Sequence, residues 1–217
     1  MAVAVDAVAN SGFQTAASYS YTHTVSGAER LLVVEVSIDA NAQSVSAITY
    51  NTVALTFKGR VLTGGAAGAS EIWSLTNPAT GANSVAVTLS AATGSVTGSV
   101  SFTGVDQSTP LGAFFSALGD STSPSVTVTD GSTTGFTIDI VTVSLAASET
   151  YTVDASQTER WNVFSDGLIR GVGSTEPGAA SVVMSGTISA ILKWAIAAVA
   201  VLPAAVGQPA MRRVQWY

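Results

Sequence analysis

The stretch from Arg30 to Asp39 constrains the fold more than any other part of this sequence, because its pattern is that of a buried strand. Successive side chains of a strand point to opposite faces, which places one apolar set together: Leu32, Val34, Val36 and Ile38. The other face, from Leu31 to Ser37, is apolar at first and polar at Glu35, so we expect it to lead toward solvent. The β-branched residues favour strand over helix. The core is therefore expected to form between packed sheets.

Composition limits both the surface and the chemistry of the chain. Charged residues make up 10% and hydrophobic residues 47% of the 217 residues, so small uncharged side chains must cover much of the surface. Such a surface is typical of a protein packed against copies of itself or a partner, and equally of an ordinary β domain of low charge. The sequence has no cysteine, which excludes thiolate metal sites and cysteine nucleophiles.

Charge and hydropathy also bear on the expected partners. The net charge of −6 is spread thinly along the chain, and the sequence has no basic patch that could contact a phosphate backbone. Nucleic acid is therefore not expected to bind. The apolar run from Ile188 to Leu202 is interrupted by Lys193 and is too short for a membrane helix, so we interpret it as core strand and expect no membrane association. The start from Met1 to Asp6 has no signal-peptide pattern, which predicts a cytosolic start.

Alternating polar and apolar residues predict a succession of short strands. Ser18–Val25 is expected to form a hairpin with the Leu31 strand. Two further hairpins are expected, one around Asn51 and Thr52 and one joining Glu71–Leu75 to Ser84–Ser90. The second half continues in this style without repeating the sequence, and the remaining strands are expected at Val96–Phe102, Ser125–Thr129, Gly135–Leu145, Val163–Leu168, Ala180–Met184 and Lys193–Leu202.

These strands predict an all-β fold, an antiparallel β-sandwich or jelly roll that forms one domain over residues 1–203. The strands at Leu31 and Trp194 are expected to be neighbours. Residues 204–217 are predicted to form a short extended C-terminal docking tail, because aromatic and arginine side chains dominate binding hot spots. The expected anchors of this tail are Arg212, Arg213, Trp216 and Tyr217. The alternative is a tail that folds back onto its own sandwich.

Residue types that carry catalysis do not form a recognisable motif. His23 is the one histidine, and without cysteine it cannot build a typical zinc site, so we expect it to pack beside Tyr21. No Gly-x-Ser-x-Gly elbow leads from a strand to a helix, which disfavours a serine hydrolase. Calcium ligands from separate loops, such as Asp106, Asp120, Asp130 and Asp154, do not form a known binding loop. We predict no enzyme activity, no cofactor and no metal site.

The segment around Trp161 carries two further interpretations. Glu159 and Glu176 flank it and are candidates for a glycosidase pair, although ordinary loop carboxylates are favoured. An exposed Trp161 ring, with Asn162 beside it, is a candidate for stacking on a sugar. The alternative for Trp161 is a plug in the hydrophobic core.

A series of motifs runs in a fixed order through residues 18–203. It consists of Leu31-Leu-Val-Val-Glu-Val-Ser, Val45-Ser-Ala-Ile-Thr-Tyr-Asn, Val53-Ala-Leu-Thr, Glu71-Ile-Trp-Ser-Leu-Thr-Asn-Pro, Val100-Ser-Phe-Thr-Gly-Val-Asp-Gln-Ser-Thr-Pro-Leu111, Gln157-Thr-Glu-Arg-Trp161 and Trp194-Ala-Ile-Ala-Ala-Val-Ala-Val-Leu-Pro203. The series resembles that of a family of jelly-roll-like β-sandwich domains found in bacteriophage virion proteins and in bacterial surface or extracellular proteins.

This resemblance, with a cytosolic start and a short basic-aromatic tail, implies a non-enzymatic structural protein of a phage virion, assembled in the host cytoplasm. Capsid decoration, or cement, is the expected role: many copies or a homo-oligomer would stabilise the shell. The implied partners are the major capsid protein or other virion proteins. The alternative is a tail-associated or cell-surface carbohydrate-binding module that recognises a receptor through Trp161 and Asn162.

Overall fold

The structure, a computed structural model, describes residues 2–40, 42–65, 67–144, 148–165 and 167–205. Every regular element in these ranges is a β-strand, which confirms the predicted all-β class. In chain order the strands are β1 Ala4–Gln14, β2 Ser18–Val25, β3 Leu31–Ile38, β4 Val45–Tyr50, β5 Val53–Ala54, β6 Thr56–Leu62, β7 Ala69–Thr76, β8 Gly81–Leu89, β9 Ser95–Thr103, β10 Phe115–Ser121, β11 Ser125–Val128, β12 Phe136–Ser144, β13 Tyr151–Val153, β14 Thr158–Ser165, β15 Ile169–Pro177, β16 Val182–Ile188 and β17 Leu192–Val201.

The strands form antiparallel sheets that use the same strand order in each half of the chain. The first half builds a five-stranded sheet, β1-β9-β3-β7-β6, and a four-stranded sheet, β2-β8-β4-β5. The second half builds a five-stranded sheet, β10-β17-β12-β15-β14, and a three-stranded sheet, β11-β16-β13. Apart from β5, each strand of the first half has a counterpart in the second. The described chain is therefore two variants of one topology in tandem.

Strand register follows the same repeat. In the first half Leu31 lies opposite Thr76 and Phe102. In the second half Ile138 lies opposite Thr175 and Val199. A proline follows two residues after the threonine in both halves, at positions 78 and 177. These equivalent positions allow the two halves to be compared residue by residue.

Three hydrophobic cores separate the sheets into four layers. One core lies between the two sheets of the first half and contains Leu32 and Val34. The matching core of the second half contains Val141 and Met184. A third core joins the halves through their five-stranded sheets and contains residues from both, including Leu31, Val33, Ile138, Ile140 and Val199. The predicted antiparallel sandwich is confirmed, with two sandwiches packed back to back.

The predicted burial of one face of β3 is confirmed, but the prediction that its other face leads to solvent is wrong. Glu35 and Ser37 are 0% exposed, because the five-stranded sheet of the second half covers them. Ser37 is accommodated there by a hydroxyl network: the Thr142 hydroxyl donates to Ser37 Oγ at 2.8 Å and lies 2.7 Å from Ser70 Oγ. Hydrogen bonding of this kind makes burial of polar side chains tolerable.

Two of the predicted hairpins and the predicted neighbours are wrong. β2 pairs with β8 and not with β3. β7 pairs with β3 and β6, whereas β8 belongs to the other sheet of the same half. β3 and β17, which contain Leu31 and Trp194, lie in different sheets. The physical reason is that the turns carry the chain from one layer to the other, as in jelly rolls, so partners in a sheet are distant in sequence.

The turn at Asn51 and Thr52 is confirmed. It joins β4 to β5, with Tyr50 opposite Val53, and its two residues have φ angles of 47° and 67°. Two central residues with positive φ match the twist of a tight hairpin. The second strand of this hairpin is short, since β5 ends at Ala54 and β6 begins at Thr56 in the five-stranded sheet.

One tryptophan, Trp161, packs in the core between the two halves and contacts residues of both. The Trp161 side chain, from edge strand β14, lies in the central core and donates from Nε1 to Glu35 Oε2 at 2.8 Å. Its ring occupies a slot formed by Gly98 of the first half and Gly173 of the second, where an added Cβ would come within 2.0 Å and 2.1 Å of the ring. Both strands must therefore lack a side chain at these positions for the sheets to approach.

Candidate functional site

The predicted tail anchors Arg212, Arg213, Trp216 and Tyr217 lie outside the described residues. The last described residue is Ala205, and the Ala204 N–H donates to the Gly104 carbonyl at 2.9 Å. Ala204 and Ala205 border a shallow cleft of about 380 Å³, which Glu29 and Asp106 also line. The last described residues are thus held against an acidic part of the first half.

The predicted sugar-stacking site at Trp161 and Asn162 is not present in the expected form. Trp161 is 3% exposed because β14 packs it into the glycine slot, so the expectation of an exposed ring is wrong and the alternative, a core plug, is confirmed. Asn162 is half-buried and is engaged on both sides, donating to Glu159 Oε2 at 2.9 Å and accepting from Arg170 Nη1 at 2.6 Å. Neither side chain presents a free surface to a sugar.

His23 is a packed core residue. It is 1% exposed, its Nδ1 lies 2.8 Å from Ser99 Oγ, and its ring meets Tyr50 edge-on at 6.4 Å between centroids. Burial lowers the pKa of His23 to about 4, although the negative charge of Asp6 acts against this. The imidazole is therefore neutral near pH 7.

The loop carboxylates named from the sequence are occupied by local partners. Asp106 accepts from the Ser108 and Thr109 N–H groups at 2.7 Å and 3.0 Å, and Asp154 accepts from the Ser156 N–H at 3.2 Å. Asp120 lies 3.4 Å from Lys193 Nζ, and Asp130 accepts from the Ala113 N–H. Within the described ranges, no group of three or more His, Cys, Asp or Glu side chains is close enough to hold a metal ion.

The outer face of the four-stranded sheet is made of small uncharged side chains. Register places Ala86 between Ser20 and Thr49, and Thr22 beside Ser84. All charged residue types are missing from this face, which comprises Ser18, Ser20, Thr22, Thr24, Ala47, Thr49, Ala82, Ser84, Ala86 and Thr88. The sequence shows the alternation within each strand, but the adjacency of these strands follows only from the fold.

The outer face of the three-stranded sheet, at the other end of the stack, has the same character. It comprises Ser125, Thr127, Thr152, Val183, Ser185 and Thr187. Val183 is 51% exposed there. Charged side chains are found instead on the edge strands of the five-stranded sheets, such as Lys58 on β6, Asp120 on β10 and Glu159 on β14. We call these two surfaces the outer faces.

An aromatic groove lies where the four-stranded sheet ends and leaves part of β6 uncovered. It has a volume of about 340 Å³ and is lined by Phe57, Trp73, Arg60 and Glu71, with Ser44 and Val45 on the far side. Phe57 is 49% exposed and its ring lies 5.0 Å from that of Trp73. Buried Glu71 accepts from Trp73 Nε1 at 3.0 Å and pairs with Arg60 at 3.4 Å. Burial raises the pKa of Glu71, while these contacts oppose the rise.

A polar cluster lies inside the second half, in the core between its two sheets. The Ser174 hydroxyl donates to Asp139 Oδ1 at 2.5 Å and accepts from Gln157 Nε2 at 3.1 Å. All three side chains are buried, at 1%, 1% and 8% exposure for Asp139, Ser174 and Gln157. Burial raises the pKa of Asp139 to about 7, Glu176 adds to the rise, and the bonds from Ser174 oppose it. We call this set the Asp139 cluster.

Sequence reasoning missed the Asp139 cluster. Its members come from different strands and a turn, and no spacing rule connects positions 139, 157 and 174. One signal was present, since Asp139 interrupts the apolar run from Phe136 to Val143, and a carboxylate in a buried strand requires partners. The identity of those partners required the fold.

Comparison with known proteins adds no relatives to this description. No model of a protein family matches the chain, and neither curated proteins nor solved structures give a match. A search of the described residues finds no helix that is long and apolar enough to cross a membrane. The resemblance to β-sandwich domains of phage virion and bacterial surface proteins stays a prediction.

Proposed function

We propose that this protein is a non-enzymatic structural protein of a bacteriophage virion and acts as a capsid decoration, or cement, protein. The observation that supports this most is the pair of outer faces, which carry small hydroxyl and methyl groups and no charge. Burying charged side chains at an interface is costly, and the centres of protein interfaces are depleted in them. An acidic chain can approach a neighbour closely through faces of this kind.

The proposed role needs many modest contacts repeated over a shell and no single tight site. The partners in this proposal are the major capsid protein, other virion proteins and further copies of the chain. With outer faces at opposite ends of one stack of sheets, a single molecule can contact two neighbours at once. That geometry suits a protein that bridges adjacent subunits.

The tail is proposed to add a second attachment. Arg212 and Arg213 give it positive charge and it contains no acidic residue, so the rest of the chain is more acidic than the net −6 of the whole. Trp216 and Tyr217 supply the aromatic groups that anchor many interfaces. We assign these four residues to partner binding.

A carbohydrate-binding module is the second candidate. Trp161 does not support it, but the aromatic groove does, since the exposed Phe57 ring beside the Arg60–Glu71 pair offers a stacking surface with polar groups at its rim. A receptor-binding role would use this groove and not the outer faces.

Co-sedimentation with purified capsids from the source tests the proposal. Full-length protein is expected to bind, Ser20→Lys on an outer face is expected to weaken binding at least tenfold, and removal of residues 206–217 is expected to weaken it further. Ser116→Lys is the matched control, because Ser116 is exposed on edge strand β10 and lies away from both outer faces. Decoration would be overturned if the full-length protein bound no capsid preparation. The second candidate would replace it if the protein bound a glycan array and Phe57→Ala abolished that binding.

A further inference from the structure

We propose that the Asp139 cluster is a modification site at which Ser174 and Gln157 join through an ester bond formed by the protein itself. The motivating observation is a buried hydroxyl placed between a carboxylate and a carboxamide, the three groups that an acyl transfer from an amide to an alcohol needs. The proposal does not depend on the role of the protein in a virion.

The nucleophile and its base are already hydrogen-bonded. Ser174 Oγ lies 2.5 Å from Asp139 Oδ1, and the Ser174 N–H donates to the same oxygen at 3.2 Å, which fixes the carboxylate against β15. Asp139 Oδ2 has no hydrogen-bond partner among the described residues. The Ser174 hydroxyl gives its proton to Asp139 and accepts a hydrogen bond from Gln157 Nε2 at 3.1 Å, so its oxygen lies beside the amide group whose Cδ it would attack.

The electrophile is held and polarised by the backbone of Ser185. The Ser185 N–H donates to Gln157 Oε1 at 2.7 Å, and Gln157 Nε2 donates to the Ser185 carbonyl at 2.9 Å. This pair of bonds determines which end of the amide is oxygen, since an N–H can only donate to the oxygen. The Ser185 N–H is therefore placed where negative charge develops on the amide oxygen during attack, as in an oxyanion hole.

The step balances without any further reactant. Ser174 Oγ attacks Gln157 Cδ as its proton passes to Asp139, giving a tetrahedral centre whose oxygen is held by the Ser185 N–H. The Cδ–Nε2 bond then breaks, Asp139 returns the proton to the leaving nitrogen, and ammonia departs. The products are the Ser174–Gln157 ester and one molecule of ammonia, and nothing is oxidised or reduced.

The surroundings favour this exchange of protons. With its pKa raised to about 7, Asp139 both accepts and returns a proton near neutral pH. Glu176 of β15 adds to this rise, and the charge of Asp139 in turn raises the pKa values of Tyr151 on β13 and Glu35 on β3. The burial of all three members excludes the water that would otherwise hydrolyse the ester.

Intact-protein mass spectrometry tests the proposal directly. The folded wild-type protein is expected to be lighter than its sequence by about 17 Da, the mass of the ammonia lost. Trypsin would then yield peptides 61–160 and 171–193 joined to each other, because cleavage sites at Arg160 and Arg170 separate Gln157 from Ser174. Hydroxylamine, which cleaves esters, is expected to release the two peptides.

Substitutions identify the chemistry. Ser174→Ala removes the nucleophile and Asp139→Asn removes the base with little change of shape, so both are expected at their full masses. Thr187→Ala is the matched control, since Thr187 is an exposed residue further along β16 that has no role in the proposed step, and it is expected to lose the same mass as wild type. Circular dichroism shows whether each variant is folded. If a variant does not fold, the presence or absence of linked peptides in the wild-type protein tests the ester.

Two results would overturn the ester. One is folded wild-type protein that stays at full mass through long incubation at neutral pH. The other is the same mass loss in Ser174→Ala, which would assign the lost ammonia to a different side chain.

Discussion

The two halves of the chain share a strand order and a register, yet they fill equivalent core positions with different chemistry. Leu31 and Ile138 are equivalent, so the next residues, Leu32 and Asp139, are equivalent too. Leu32 lies opposite Leu75 in the first half, whereas Asp139 lies opposite Ser174 in the second. The comparison teaches that the topology is specified by the surrounding apolar pattern and tolerates a polar pair at one core position, provided that further partners such as Gln157 are at hand.

The largest effect is expected from placing the polar residue in the half that lacks its partners. Leu32→Asp should lower the free energy of unfolding by about 5 kcal/mol or more, since it removes a fully buried side chain and buries a carboxyl among apolar neighbours. Urea denaturation followed by circular dichroism measures this. Leu32→Ala is the control, expected to lose about 2–5 kcal/mol from lost packing alone. Equal losses for the two variants would show that the first half accepts polarity as readily as the second.

The next largest effect concerns the contact between the halves. Trp161→Ala should cost about 3–5 kcal/mol, because it empties the glycine slot and leaves the buried Glu35 carboxyl without its donor. Trp161→Phe, which keeps most of the ring, should cost less. Trp73→Ala is the matched comparison inside the first half, where the ring lies at the rim of the aromatic groove and a smaller loss is expected. Denaturation midpoints rank the three, and a larger loss for Trp73→Ala would remove Trp161 from its central role.

A response to pH should distinguish the halves by its sign. The pKa of His23 falls from its usual 6.5 to about 4 in the folded state, so the unfolded chain binds more protons between these values and acidification destabilises. The pKa of Asp139 rises from 3.8 to about 7, so the folded chain binds more protons and acidification from pH 7 stabilises. Each group contributes a slope of up to about 1.4 kcal/mol per pH unit, and the two oppose each other.

Single variants separate these slopes. Between pH 6.5 and pH 5, the free energy of unfolding of His23→Gln should rise relative to that of wild type. Over the same range, the free energy of unfolding of Asp139→Asn should fall relative to that of wild type. Urea midpoints at several pH values between 4.5 and 7 give both slopes. Slopes of the same sign in the two variants would contradict the assignment of opposite responses to the two halves.

The smallest effect is expected at a feature that only the first half has. Thr52 adopts a φ of 67° in the turn before β5, a strained conformation for a β-branched residue. Thr52→Gly should therefore raise the free energy of unfolding by about 0.5–1 kcal/mol. Thr56→Gly, in the extended strand β6, is the control and should lower it, as thermal unfolding would show.

Local features of the fold could be predicted from the sequence. The alternation in β3 and the turn at Asn51 follow from side-chain period and turn chemistry, both of which act between near neighbours. The pairing of β2 with β8 could not be predicted, because the turns cross between layers. The burial of Glu35 could not be predicted either, since the strands that cover it, β12 and β15, belong to a half whose sequence hardly resembles the first.

The candidate sites divide in the same way. The small uncharged composition of the outer faces is visible in the sequence, but their extent depends on strand adjacency. Trp161 has the same residue type whether it stacks on a sugar or plugs a core, and only the glycines at 98 and 173 decide between the two. Asp139, Ser174 and Gln157 meet through the fold alone.

The double-sided burial of β3 and β12 has a consequence for exchange of amide hydrogens with deuterated water. Both strands are paired along both edges and covered on both faces, so local fluctuations do not bring their amides to solvent. Their amides should exchange only when the whole stack opens, whereas those of edge strands such as β6 and β14 exchange through fraying. Equal exchange rates in β3 and β12 would then report a single opening event that releases both halves together.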